Sequence, residues 1–425
     1  MDINRIAWDV LELIAAADGS VSVDLATAER QIRGQLERIG RAALQRHLDT
    51  HGNLGYQGSS RLCSCGQRQR FVEHRPRSFQ SVVGRVLLHR AYYHCSACGC
   101  GCCPYDHAAG LGPMAISPGL AKMACDLAVD LSFTRASAKL ASLTGQRLSA
   151  SSIERLAKQA GEIAKELEQQ QAQRVLAHEP VPDAKSIAGR LYVSVDGVMC
   201  PMRKVWEEIK LAECYWRDSS GTLHRRYVAR VEKIDGFVAH AVATAARCGL
   251  EDCRECILLA DGSAWIWDRI APAIDPDVLI LDWWHGKEHL WAAGNIVFGQ
   301  GTQAARTWVE PLKEHLWHGR LDTVLSELTR LHKTLRSPAK RDAIADLLTY
   351  LSNHREQLAY DRFRAWGLDI GSGLIESACR SVVQQRLKIP GAHWKPCHAQ
   401  QLLSLRVCHL NGDWDDFWQS RPMAA

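Results

Sequence analysis

Residues 191–197, Leu-Tyr-Val-Ser-Val-Asp-Gly, alternate apolar side chains with small or polar ones and stop on a carboxylate followed by glycine. Such alternation, with β-branched residues recurring, is the signature of a strand. Residues 257–262, Ile-Leu-Leu-Ala-Asp-Gly, repeat the design and open onto a helix from Ser263 to Ile270. Around these two stops the pattern predicts strands near 191–196, 205–215, 226–232, 256–260 and 277–281. It predicts helices over 235–247, 263–271 and about 285–298. Three strands in succession, then strands alternating with helices, restrict the chain to an α/β sheet with helices on its faces.

That order is the one found in the ribonuclease-H-like fold, where one carboxylate lies in the first strand and a second follows the fourth. Asp196 and Asp261 fall at those places. A third acid, Glu376, sits near the start of a predicted helix, Gly373-Leu-Ile-Glu-Ser-Ala-Cys-Arg380. Three acids from separate elements are about the minimum that holds two hard divalent cations. Such a pair takes oxygen ligands and clamps the attacking and leaving oxygens of an in-line displacement at phosphorus. The plainer alternatives are turns at the two Asp-Gly stops and a surface pair between Glu376 and Arg380.

Asp261 and Glu376 are 115 positions apart, too far for one strand and helix. Residues 300–366, rich in Leu, Trp, Arg and Glu, read as an all-helical insertion with breaks at Pro311 and Pro338. The catalytic domain would then comprise 185–299 and 367–425. Along its last helix Glu376, Arg380, Gln384 and Lys388 recur at every fourth position as one ridge, with Ile375, Ala378 and Val382 on the buried face.

The first 178 residues read as accessory modules. Residues 1–60 are expected to form a helical region, helical over 3–48 and ended by a polar, glycine-rich break at Gly52–Ser60: Ile3, Ile6, Val10, Leu13 and Ile14 share one face, as do Ile32, Leu36, Ile39 and Leu44. Residues 61–105 carry Cys63-Ser-Cys65 and Cys95-Ser-Ala-Cys98 on either side of a predicted hairpin, 79–93, that turns near Gly84. Two knuckles joined by a hairpin describe a zinc ribbon, with Cys63, Cys65, Cys95 and Cys98 as thiolate ligands of one structural Zn2+. Cys100, Cys102 and Cys103 crowd the same place and leave the ligand set open; free thiols under a loop are the alternative. Residues 106–178 return to helix: 118–131, then 134–143 capped by Ser132 or Thr134, a turn at Gly145, and a third helix begun by a capping box, Ser151-Ser-Ile-Glu154. Helix, short turn, helix is the outline of a DNA reader and equally of plain helical packing. Ile153, Leu156, Ala160, Ile163 and Leu167 form a stripe suited to a core or to a dimer seam.

Composition bounds the partners. At 46% hydrophobic and 23% charged, the 425 residues suit a globular chain of several domains. The net charge of +5 permits nucleic-acid binding without demanding it. Its distribution says more: residues 61–90 hold seven arginines against Glu73 alone, and residues 373–410 hold Arg380, Arg386, Lys388, Lys395 and Arg406 against Glu376 alone. Local basic patches read as phosphate contacts, or as solvated faces. No apolar run approaches the ~20 residues of a membrane span. Met1–Ala17 is amphipathic, with Asp2, Asp9 and Glu12, unlike a signal peptide. Sixteen scattered cysteines without a secretion signal point to a reducing compartment. A cytoplasmic location off the membrane is expected.

Four stretches taken together carry a resemblance: Val193-Ser-Val-Asp196-Gly197; Leu259-Ala-Asp261-Gly262-Ser-Ala-Trp265; Ile280-Leu-Asp282-Trp-Trp-His285; and Gly371-Ser-Gly-Leu-Ile-Glu376-Ser-Ala-Cys-Arg380, extended by Gln385-Arg-Leu-Lys388 and Gly391-Ala-His-Trp394. With the paired cysteines before them, they resemble the DDE transposases of bacterial insertion sequences. The similarity is greatest to the ISKra family, whose catalytic domain is related to that of Mutator-like transposases. The resemblance spans about residues 60–418. It implies that Asp196 bridges two Mg2+ (or Mn2+) ions, with Asp261 on one and Glu376 on the other. Asp282 and His285 match the family's D-x-x-H element, which would steady the site or meet DNA near the cut; otherwise Asp282 simply caps the helix after it. Arg380, Gln384, Arg386, Lys388 and Trp394 would contact DNA, and most other tryptophans would be core.

The implied function is binding of terminal inverted repeats by the N-terminal modules, hydrolysis of a phosphodiester to free a 3′-hydroxyl, and attack of that hydroxyl on target DNA. The implied partners are double-stranded DNA, at element ends and target, and further copies of the chain in a dimer or larger assembly on the bacterial nucleoid. Two rivals are a non-catalytic zinc-ribbon regulator and a structure-specific nuclease that cuts without joining.

Overall fold

The computed structural model describes residues 24–50, 54–182, 184 and 187–420, so the expected stripe from Ile3 to Ile14 lies outside the described residues. The chain divides into two compact units, residues 157–417 and the remainder. The boundary falls inside one long helix, within the segment 106–178. Among the described residues, no helix is long and apolar enough to cross a membrane.

The first unit opens with α1 (Leu25–Thr50) and an antiparallel sheet of β1 (Ser60–Leu62), β2 (Arg68–Ser81), β3 (Gly84–His94) and β4 (Gly101–Cys102). Gly84, at φ 112, makes the tight β2–β3 turn that a side chain would strain. Leu48, Leu54, Phe79, Val86, Leu88 and Leu111 form the core, with Leu44 packed against it. The expected shared face of α1 is corrected here: Ile32, Leu36 and Ile39 are exposed, and the helix turns its Leu44–Leu48 side to the sheet.

Then follow α2 (Pro104–Ala108), α3 (Pro118–Asp130) and α4 (Phe133–Thr144). Ser132 caps α4 by accepting from the Arg135 amide, and Gly145 ends it at φ 71. The next helix, α5 (Ala150–Leu176), begins two residues earlier than expected, because Ser149 rather than Ser151 is the cap, accepting from the Ser152 amide (3.1 Å). Along its stripe Ile153, Leu156 and Ala160 are buried, while Leu167 is exposed.

The second unit is built on a mixed five-stranded sheet in the order β7-β6-β5-β8-β9. Its strands are β5 (Arg190–Pro201), β6 (Trp206–Arg217), β7 (Leu223–Arg230), β8 (Glu255–Ala260) and β9 (Val278–Leu281). β5, β6 and β7 pair antiparallel; β5, β8 and β9 pair parallel. α6 (Ile234–Arg247) connects β7 to β8, and a π-helical turn (Ile266–Ile270) leads into α7 (Ala271–Ile274) before β9. Each strand predicted for this unit lies within five residues of its expected bounds, whereas in the first unit β2 begins eleven residues before the predicted hairpin at 79.

Alternation along the strands makes two cores. Leu191, Val193, Val195, Leu258 and Ala260 face α6 residues such as Phe237 and Ala241. Tyr192, Tyr215, Ile257, Leu259 and Ile280 face the other way, onto α8 (Trp283–Phe298) and the helices of the 300–366 segment: α9 (Gln303–Trp317), α10 (Leu321–Thr334), α11 (Pro338–Asn353) and α12 (Tyr360–Ala365). Pro338 starts α11 as expected. Pro311 does not break the chain: α9 runs through it, because Val309, Leu312 and Leu316 bury the helix on both sides of the lost amide. The unit closes with α13 (Gly373–Ala378), a second π-helical turn (Cys379–Gln384), α14 (Gln385–Leu387) and α15 (Pro396–Leu410); α16 (Trp414–Ser420) ends the described chain.

Candidate functional site

The parallel ladder between β5 and β8 runs from Arg190↔Glu255 to Val195↔Ala260. One step further brings Asp196 beside Asp261. Continuing the alternation, Asp196 shares a sheet face with Tyr192, and Asp261 shares it with Ile257 and Leu259, so both carboxylates lie on the insertion side. Asp196 Oδ1 accepts from the Gly197 amide (2.6 Å) and Oδ2 from the Cys379 thiol (3.1 Å). Burial pushes the Asp196 carboxyl above its ordinary range, and the charge of Asp261 adds to the rise. Asp261 also tethers its own loop, accepting from Ser263 N (2.9 Å) and Oγ (3.0 Å).

The third acid arrives through a chain of hydrogen bonds. Asp282, fully buried, accepts from the amide and Nδ1 of His285 (2.9 and 2.8 Å) and from the Ser372 amide (2.7 Å). It therefore caps α8 and orients the ring as well. Ser372 in turn donates its hydroxyl to Glu376 Oε1 (2.8 Å). Against the cost of burial, which raises it, the His285 contacts and the Ser372 amide hold the Asp282 carboxyl below the usual range. The same contact pushes His285 up to about 9, with Asp261 and Glu288 adding to it. Cys379 lies within electrostatic range of both Asp196 and Glu376. The helices that follow Asp261 and Glu376 both contain π-helical turns, a local strain common at functional sites.

One residue at this site has no signal in the sequence. Tyr350, from α11, stacks on His289 (centroids 3.8 Å apart), and a Cβ on Gly262 would collide with its ring. Among the described residues its buried hydroxyl has no hydrogen-bond partner, and burial, with Asp261 and Asp282 nearby, raises its pKa.

The expected DNA ridge is only partly present. The π-helical turn shifts the register after Ala378, so that Arg380 is exposed, Gln384 and Lys388 are half-buried and α14 ends at Leu387. Arg386 is buried, 1% exposed, with its guanidinium 5.2 Å from the Trp394 ring, so it supports the loop rather than meeting solvent. Trp394 is half-buried and donates Nε1 to the Leu387 carbonyl (3.0 Å).

In the first unit the four predicted thiols converge, with every Sγ within 4.8 Å of the others. Cys63–Cys98 and Cys65–Cys95 are both 3.7 Å apart, close to the ~3.8 Å edge of a tetrahedron with ~2.3 Å zinc–sulfur bonds. Gly66 and Gly99, at φ 84 and 72, close the two knuckles. The Cys65 amide, then neighbouring side chains, lower the Cys63 pKa to about 6, so one thiolate forms readily. Gln69, buried, donates to Cys63 Sγ (3.3 Å) and accepts from Cys102 Sγ (3.2 Å). Cys102 is thus held outside the cluster, and the four predicted cysteines form a group able to hold one structural zinc ion. The three acids of the second unit, by contrast, are not drawn within ligand distance as a set; among the described residues only the cysteines meet that condition. The basic run around them is also partly structural: Arg77 and Arg90 both bind Asp106 (3.0 and 2.6 Å), and Arg75 pairs with Glu73 and covers Tyr92.

A search of the curated proteins finds no match. A family profile matches residues 22–417, nearly the whole chain. By that match the chain belongs to the uncharacterised protein family UPF0236.

Proposed function

We propose that the second unit is a ribonuclease-H-like catalytic domain and that the chain is a DNA transposase of a bacterial insertion sequence, of the ISKra-like class its motifs resemble. The observation that carries the reading is the β5–β8 register beside which Asp196 and Asp261 meet, on the face where Cys379, three residues after Glu376, binds Asp196. The donors fit divalent cations: two adjacent carboxylates, one of them pushed toward protonation by burial and its neighbour, are relieved by positive charge, and all three acids offer hard oxygen. Asp196, Asp261 and Glu376 would hold two Mg2+ (or Mn2+) ions. When bound, these ions supply an activated water and neutralise charge developing on the phosphoryl oxygens.

The chain's own residues position the rest. Asp282 keeps His285 protonated at neutral pH, a cation beside the acids for a backbone phosphate. Ser372 aims Glu376, and Arg380, exposed beyond it, would face a DNA backbone. The zinc-knuckled sheet and the following helices would grip terminal inverted repeats. Holding two ends at once calls for a dimer or larger assembly.

The test uses purified chain, magnesium and a labelled duplex carrying the element's own ends, with Asp196→Asn, Asp261→Asn and Glu376→Gln alongside. Cleavage and joining by wild type, lost in all three while binding persists, is the expected outcome. Cleavage without joining would leave a nuclease. Binding with no cleavage in any chain would leave a regulator.

A further inference from the structure

The β5–β6 hairpin runs past the candidate acids and ends in a tip that the function above does not use. Met199, Val205 and Trp206 are exposed there, Trp206 by 60%. Arg203 and Lys204, at the tip itself, are exposed, and among the described residues neither has an ion-pair partner. A third cation, Lys388, lies over the Trp206 ring with Nζ 5.9 Å from its centroid. Of the two acids that follow on β6, Glu208 pairs with Lys210 (2.9 Å) and Glu207 stands opposite Cys200 in the ladder.

The tip is held firmly. Met202 is buried and its amide donates to the Val205 carbonyl (3.0 Å). The Arg203 amide donates to the Trp394 carbonyl (2.9 Å), and Trp394 is anchored to Leu387 and Arg386. An aromatic face and two exposed cations, with half-buried Lys388 over the ring, are therefore held on a fixed support.

We propose that this tip is a DNA-docking surface, with Arg203, Lys204 and Lys388 on backbone phosphates and Trp206 against a base or sugar. It deepens the function proposed above and rests on it. Unpaired cations around a flat, exposed aromatic ring suit a nucleic-acid strand, whose phosphates need charge and whose bases present π-faces. Arg203 lies seven residues beyond Asp196. At ~3.3 Å per residue the tip is roughly 23 Å from the acids, about seven nucleotides at ~3.4 Å each along a strand crossing both.

Fluorescence anisotropy of the full chain, titrated into a fluorescein-labelled duplex and into its single strand over a series of salt concentrations, tests this. The double variant Arg203→Ala/Lys204→Ala should reduce the slope of log affinity on log salt by roughly 2, about 0.9 for each phosphate no longer neutralised. Trp206→Ala should weaken binding about 5- to 150-fold, the range for losing one stacked base. If Trp206→Ala fails to fold, the double variant decides alone. Wild-type binding with affinity and slope unchanged in the tip variants would overturn the docking surface and leave the transposase reading standing. No wild-type binding to either DNA would overturn both. Tip variants that keep DNA affinity but lose binding to phosphatidylserine vesicles would assign the patch to a membrane surface instead.

Discussion

The two sheets are held together by different means. The five-stranded sheet is covered on both faces by apolar residues of β5, β8 and β9 packed on helices. Removal of that surface from water, ~25 cal/mol per Å2, acts without any ligand. The four-stranded sheet has a small core at its hairpin end, and its other end carries the four-cysteine group, with buried Gln69 bonded to Cys63. Thiols and a polar amide contribute little burial, so an ion held by the four cysteines would supply the stabilisation that end lacks in core. The sheet that carries the acids can thus be rigid without any ion, whereas the four-cysteine end would be assembled by one.

The largest effect should separate the two. Chelation, or Cys95→Ser, should abolish order at the knuckle end and release one zinc per chain, while the thermal transition of the five-stranded unit stays in place. Hydrogen exchange of the β2–β3 amides, with calorimetry, checks both halves. Exchange that ignores the chelator would break the comparison.

Next is the buried polar link within the large unit. Asp282→Asn removes the charge that two His285 contacts and the Ser372 amide were built around. A loss of about 2–4 kcal/mol is expected by denaturant titration, less than for a fully buried pair because His285 is a third exposed and screened. The same pair sets a pH dependence. The folded ring keeps its proton up to about 9, above the ~6.5 of a free imidazole. The resulting stability is complete below about pH 6.5 and lost as pH rises through about 9. Asp282→Asn should flatten the stability curve across that window.

Glycine substitutions sharpen the contrast at a smaller scale. A Cβ at Gly161 would strike the Gln401 carbonyl where α5 and α15 touch backbone to backbone, so Gly161→Ala should cost about 1–3 kcal/mol. At Gly34, inside α1, a Cβ meets nothing within 4 Å, and Gly34→Ala should stabilise by about 0.5–1 kcal/mol. Thermal melting of the two variants should move in opposite directions.

Much of this architecture was written locally. Period-two runs ending in Asp-Gly place strands, and the strand and helix order follows from covalent adjacency. Cys63, Cys65, Cys95 and Cys98 are brought together by one hairpin, so their spacing announces the cluster. Other features depend on neighbours far away in the chain. Whether Arg77 and Arg90 meet DNA or Asp106 is decided by a helix after the hairpin, and they meet Asp106. The every-fourth ridge after Glu376 assumes an unbroken α-helix; with a π-helical turn at Cys379–Gln384, Arg380 is exposed while Gln384 and Lys388 are half-buried, and Arg386 beside them is buried. Gln69 excludes Cys102 from the knuckle, and Tyr350 crosses from the insertion to lie against Gly262. Sequence alone determined which elements form and which acids and thiols they carry, because periodicity and short-range spacing act within a few residues. Tertiary structure decided which charges are paired or buried, because burial and pairing belong to contacts between segments that the chain order does not reveal.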